Sequence, residues 1–296
     1  MKRFAHIRIL ILLLIAGVSA MGQMSSYENA VRFQRDKNTD SARIFIDSAA
    51  LNTETKNLSE VWFLRGYVYK DLSKQKESAN PASPFREIAA DSYIRAWKLD
   101  SLGNSQQHSN LVQSIKYLAS QFHNDITKTI DTVNHLQSLK NADRYVQLMK
   151  LIEPGFSEKD NYSRIFLSMG SSFEEAYLQK NAKGYFDLAK VYLFKAYDLN
   201  PNSFSANKNI GLLYYNNAVR VIEEMDATGT SLERLDVLQN TSISLAKQAL
   251  PYLLKSFELD PFDKESVEGI TGCYYLLNEI EQYNVYKKKL DELKNK

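Results

Sequence analysis

The stretch that decides the fold is Leu199–Tyr215, LNPNSFSANKNIGLLYY. A short apolar-polar run meets a proline, and a lone glycine follows inside what otherwise reads as a helix. Glycine in a helix interior is about 1 kcal/mol worse than alanine, so Gly211 asks for a reason. Sixty residues after Pro201 the pattern returns at Pro261, in FELDPFDKESVEGITGCYY, Phe257–Tyr275. A motif that recurs with its helix terminator and its glycine points to a repeated unit.

Further copies lie upstream. Trp62-x2-Arg65-Gly66-x2-Tyr69 is matched by Phe166-x3-Gly170-x2-Phe173 and by Asn207-x3-Gly211-x2-Tyr214. Weaker copies are Ile115–Phe122 with Ala119 in the glycine place, Ala30 with Phe33, and Gly272 with Tyr275. A second helix type alternates with these. Ala42-x3-Ile46-x2-Ala49, Ala89-x3-Tyr93-x2-Ala96, Ala142-x3-Val146-x2-Met149, Ala189-x3-Leu193-x2-Ala196 and Ala249-x3-Leu253-x2-Ser256 share one spacing. The last four run into Leu99-Asp100-Ser101, Ile152-Glu153-Pro154, Leu199-Asn200-Pro201 and Leu259-Asp260-Pro261. Proline disfavours the helical conformation of the residue before it, so these helices stop there. Ser83, Ser203 and Asp263 are the expected N-caps of the helices that follow.

The alternation resembles the tetratricopeptide repeat, whose signature over roughly 34 residues is W-x2-L-G-x2-Y, then A-x3-F, then P. The resemblance covers most of the chain in pieces. It implies an all-α fold, a right-handed superhelical solenoid of antiparallel helix pairs. The expected pairs are 23–56, 59–103, 109–156, 162–203 and 204–263, with 264–296 as a capping pair. On this reading Gly66, Gly170 and Gly211 let each first helix approach Ala89, Ala189 and Ala249 of the second. Leu290 and Leu293 of YKKKLDELKNK are expected to face inward. The spacing from Gly66 to Ser101 is 35 residues, from Gly170 to Pro201 31 and from Gly211 to Pro261 50, longer than a regular unit. The excess falls at 73–85, read as a loop with a helix start at Ser83-Pro84, and at 226–248. There DATGTS (226–231) reads as a loop and Leu232 onward as added helix, with Pro251 in a first turn or at a kink.

The N-terminus carries an export signature. Lys2, Arg3 and Arg8 precede the apolar run Ile9–Val18, and small residues follow. This is the pattern of a secretory signal peptide over 1–22, cut after Gly22 or after Ala20. Ten apolar residues fall short of the ~20 of a spanning helix. Without Lys2, Arg3 and Arg8 there are 34 basic against 35 acidic residues, a net charge of −1. No basic field remains to draw nucleic acid or anionic lipid.

No catalytic constellation is legible. His6, His108, His123 and His135 have no ligand-spaced partners, and Cys273 is the only cysteine, so no zinc motif exists. There is no nucleophile elbow, zincin motif or P-loop. Glu174-Glu175 and Glu223-Glu224 are helix neighbours about 100° apart, unable to flank one bond, and read as solvated faces. No cofactor is expected.

In the family the concave groove is lined by first helices, at positions three before, one after and four after the glycine. The resemblance therefore implies Phe63, Tyr67 and Lys70; Lys116, Ser120 and His123; Leu167, Ser171 and Glu174; and Lys208, Leu212 and Tyr215. Some members hold a peptide's C-terminal carboxylate with a fixed Lys, Asn and Arg set, which Lys208 alone does not reproduce. The implied function is a non-catalytic scaffold of the bacterial cell envelope, periplasmic or envelope-associated, binding a peptide or protein along the groove. The alternative is a glycan-binding protein using Tyr67 and Tyr215 as stacking surfaces.

Overall fold

A computed structural model describes residues 26–129, 133–180, 182–223 and 231–295. The signal-peptide segment 1–22 and residues 226–230 of the expected DATGTS loop lie outside the described residues. Every regular element among the described residues is helical. They are α1 (26–35), α2 (Thr39–Leu51), α3 (Ser59–Lys76), α4 (Pro84–Leu99), α5 (His108–Ile126), α6 (His135–Ile152), α7 (Glu158–Lys180), α8 (Lys183–Leu199), α9 (Phe204–Glu223), α10 (Leu232–Leu259), α11 (Lys264–Leu276) and α12 (Ile280–Lys294). The chain divides into two compact units. Unit 1 holds α1–α5 and α6 from Leu136 onward; unit 2 holds His135 and α7–α12.

α3 packs closely on α4, α7 on α8, α9 on α10 and α11 on α12, and in two of these pairs the same bond recurs. Ser59 Oγ at the start of α3 donates to the Ala96 carbonyl at the end of α4, 3.2 Å away. Ser163 Oγ in the first turns of α7 donates to the Ala196 carbonyl at the end of α8, at 3.5 Å. Each serine stands seven residues before its glycine and each carbonyl seven after its alanine. The A-x3-x2 stripe is the buried seam of the second helices. Ala89, Tyr93, Ala96, Ala189, Leu193, Ala196, Ala249, Leu253 and Ser256 are all fully buried. This is the tetratricopeptide-type arrangement of helix pairs.

The glycines do meet the second helices, and the atoms nearest to them belong to the large residue one turn after each alanine. A Cβ on Gly66 would lie 2.4 Å from two carbons of the Tyr93 ring. One on Gly170 would lie 2.6 Å from Leu193 Cγ, and one on Gly211 2.5 Å from Leu253 Cγ. The partner is the residue one turn after each alanine. The alanine is small enough to let the helices close, and the large side chain four residues on lies across the glycine instead. Close packing then recovers what the helix loses at glycine.

The caps follow the expected chemistry. Ser83, Ser203 and Asp263 accept from the backbone N–H three residues on, at 3.1, 3.3 and 2.9 Å. The helices preceding Pro154, Pro201 and Pro261 end at Ile152, Leu199 and Leu259. The loop expected at 73–85 is shorter than that, because α3 runs on to Lys76 and α4 opens at Pro84. Gln75 and Lys76 reach Thr39 and Asp40 of α2, at 3.1 and 2.5 Å, and basic residues suit a helix C-terminus. Added helix from Leu232 lengthens α10, and Pro251 sits in its interior, well beyond a first turn. Leu290 and Leu293 of α12 are buried with Val267 and pack against Phe257 and Tyr286. Thr271, not Gly272, stands eight residues after its N-cap as Gly211 does after Ser203.

Candidate functional site: the groove of the first helices

In unit 1 the faces of α1, α3 and α5 enclose an open groove of about 820 Å³. The α3 wall is Phe63, Leu64, Tyr67, Lys70, Asp71 and Lys74, one stripe of spacing three and four. Val31, Gln34 and Arg35 come from α1, and Asn110, Gln113, Ser114 and Tyr117 from α5. An adjoining hollow of about 590 Å³ shares Val31, Arg35, Phe63 and Leu64, and extends to Tyr27, Glu28, Arg32 and Gln107.

The groove is ordered by its own charges and rings. Lys70 Nζ lies 4.0 Å over the Tyr67 ring, 5.7 Å from that of Tyr117, and 2.9 Å from Asp71. Gln34 Nε2 donates to Asp71 at 2.8 Å, which orients the amide. Asp71 is thus saturated by Lys70 and Gln34. Arg35 and Lys74 are exposed and make no ion pair among the described residues. The lining therefore carries Arg32, Arg35, Lys70 and Lys74 against Glu28 and Asp71.

Of the residues the resemblance implied, Phe63, Tyr67 and Lys70 line this groove. The three on α5 do not. Lys116 Nζ lies 3.6 Å from Glu153, just after α6. His123 packs on the Tyr145 ring of α6, centroids 4.9 Å apart. Ser120 is exposed and donates to the Tyr117 carbonyl at 2.7 Å. The α5 face in the groove is instead Asn110, Gln113, Ser114 and Tyr117. The implied positions are those facing the next first helix, whereas α5 meets α3 with its other side, which no implied position covers. The signal of Asn110, Gln113, Ser114 and Tyr117 is a polar i, i+3, i+4, i+7 stripe beside the buried Leu111, Ile115, Leu118 and Phe122.

In unit 2 the implied positions face the next first helix and are occupied by it. Asn209 Nδ2 donates to Ser171 Oγ at 3.0 Å, and Asn216 Nδ2 to Glu174 at 3.3 Å. Lys208 pairs with Asp263 at 2.9 Å and with Glu265. Burial alone would lower the Lys208 pKa, but the two carboxylates outweigh it and raise it. Leu212 reaches to 3.5 Å from where a Cβ on Gly269 would sit, and the Tyr215 ring covers Gly272 so closely that a Cβ there would overlap it. Leu167 is half-buried on α7. Tyr215 is therefore engaged within the fold, while Tyr275 is 65% exposed.

The two units differ for a steric reason. The stripe of α11 facing α9 carries Glu265, Gly269 and Gly272; that of α5 facing α3 carries Asn110, Ser114 and Tyr117 at the same spacing. Glycines let Leu212 and Tyr215 seat and close the gap. Side chains at Ser114 and Tyr117 keep α3 and α5 apart at the groove face.

Glu174 also corrects the reading of Glu174-Glu175 as a solvated face. It is half-buried against α9, and burial pushes its carboxyl up to about 7, only partly offset by the Asn216 bond. Among the described residues no three His, Cys, Asp or Glu side chains are grouped to hold a metal. Cys273 is buried, and burial pushes its thiol up to about 12.

No protein-family model and no curated protein matches the chain. Solved structures similar in fold are tetratricopeptide-repeat proteins. One, a TPR repeats protein from Bacteroides fragilis NCTC 9343, is 16% identical over 86% of this chain and 98% of its own, with a TM-score of 0.48. YrrB, a TPR protein with an unusual peptide-binding site, is 15% identical over 84% and 91%, with a TM-score of 0.35. PilW, a type IV pilus biogenesis factor, is 13% identical over 91% and 92%, with a TM-score of 0.33. These likenesses are too distant to bear on function. The tetratricopeptide-like fold rests on the pair geometry itself.

Proposed function

We propose that this chain is a non-catalytic scaffold that binds a protein or peptide segment in the groove of unit 1. The observation that carries the reading is the open groove of about 820 Å³ whose walls mix aromatic, amide and cationic side chains. Such walls suit an extended backbone with varied side chains, rings supplying contact area and amides supplying hydrogen bonds. Lys2, Arg3, Arg8 and the run Ile9–Val18 support export to the cell envelope. A glycan-binding reading would use Tyr67 with Tyr215. Tyr215 lies against Gly272, so the protein-segment reading is the stronger.

The test is quantitative affinity purification after in-cell crosslinking, comparing the unaltered chain with Phe63→Ala combined with Tyr67→Ala. At least one enriched protein should drop more than about tenfold in the double variant, since buried aromatic anchors carry most of an interface's energy. An unchanged partner profile, with the variant folded, would remove the groove from the account.

A further inference from the structure

The groove is not uniform along its length. At one end Phe63 and Leu64 present an apolar floor, which continues to Tyr27 in the adjoining hollow. At the other, Arg35 of α1 and Lys74 of α3 project into the same groove with no ion pair among the described residues. Between the ends, the charge of Lys70 is already met by Asp71 and by the Tyr67 ring. Arg32, also exposed and without an ion pair among the described residues, lines the adjoining hollow and not the groove, so within the groove the unmatched positive charge is that of Arg35 and Lys74.

We infer that the groove selects an extended segment with an apolar anchor over Phe63 and Leu64 and an acidic side chain between Arg35 and Lys74. This rests on the protein-binding reading above and names its partner chemistry. The spacing follows from helix geometry. Phe63 and Lys74 are eleven residues apart on α3, which at ~1.5 Å per residue is about 16 Å. An extended chain covers that in about five residues at ~3.3 Å each. Two cations flanking one carboxylate favour it over a neutral or basic side chain, with a strength that falls as salt rises.

The test uses the full chain and fluorescent peptides, acetylated and amidated at their ends, followed by anisotropy. Each peptide carries one Phe and one Glu two, five or nine positions apart, with a parallel set bearing Lys for Glu. The five-position Phe–Glu peptide should bind at least about tenfold more tightly than its Lys counterpart and several-fold more tightly than the other spacings. Arg35→Glu with Lys74→Glu, both exposed, should reverse the charge preference, and raised salt should erase it. Equal binding of Glu and Lys peptides, or an unmoved preference in the double variant, would overturn the inference. If neither peptide set binds while Phe63→Ala with Tyr67→Ala still loses a cellular partner, this inference fails and the groove reading stands. Loss of neither refutes the groove reading itself.

Discussion

Glu174 concentrates the residue-scale consequences. Its carboxyl titrates near 7 in the folded chain because α9 takes it out of water, against about 4.3 in an unfolded one. Between those values the folded state holds a proton that the unfolded state has released. Stability from this group is therefore complete below pH ~4.3 and is lost as pH rises towards 7. Glu174→Gln keeps the shape and removes the titration. Its melting temperature should match that of the unaltered chain at pH 4 and exceed it increasingly up to pH 8. A difference that does not change with pH would show that Glu174 is not desolvated as described. The doublet Glu174-Glu175 reads as surface in sequence because nothing local signals that α9 will cover one of the two. Burial of a single polar residue is a tertiary fact, set by a helix some forty residues away.

At the scale of elements, the glycines of the first helices show what sequence can and cannot carry. Their positions mark close crossings, and the crossings are there. What the spacing does not tell is which side chain comes nearest, because that depends on the rotamer of the large residue one turn after the alanine. For Gly211 the nearest atoms are those of Leu253, with Ala249 fully buried one turn before it. Gly211→Ala would set its Cβ 2.5 Å from Leu253 Cγ and 3.1 Å from the Leu253 backbone nitrogen. The side chain can turn aside but the backbone cannot, so the substitution should destabilise by about 1–3 kcal/mol in denaturant unfolding. Leu253→Ala, which empties a fully buried site, should cost about 2–5 kcal/mol alone. Together they should cost less than their sum, because the added methyl then finds part of the space the leucine left. Strict additivity would mean the two residues do not meet. Caps and terminators were legible because they act over three or four residues: Ser83, Ser203, Asp263 and the three helix-ending prolines all do locally what their chemistry requires. The α5 wall was not, because it is the side of α5 that faces the preceding first helix, and that pairing of side chains is set by tertiary packing.

For the molecule as a whole, a regular repeat does two different things in its two units. Positions that face the next first helix are consumed in unit 2 by Ser171–Asn209, Glu174–Asn216, Lys208–Asp263 and Tyr215 over Gly272. In unit 1 the corresponding Phe63, Tyr67 and Lys70 border an open groove. The central claim is that binding belongs to unit 1, and in-cell photo-crosslinking tests it most directly. A photoreactive residue would replace Tyr67 in one chain and Leu212, its counterpart one residue after the glycine, in another, with Lys288 on α12 as a control. The account predicts a dominant protein adduct at Tyr67, with little at Leu212 or Lys288. An adduct at Leu212 equal to or stronger than that at Tyr67, or none at Tyr67 from a folded chain, would contradict it.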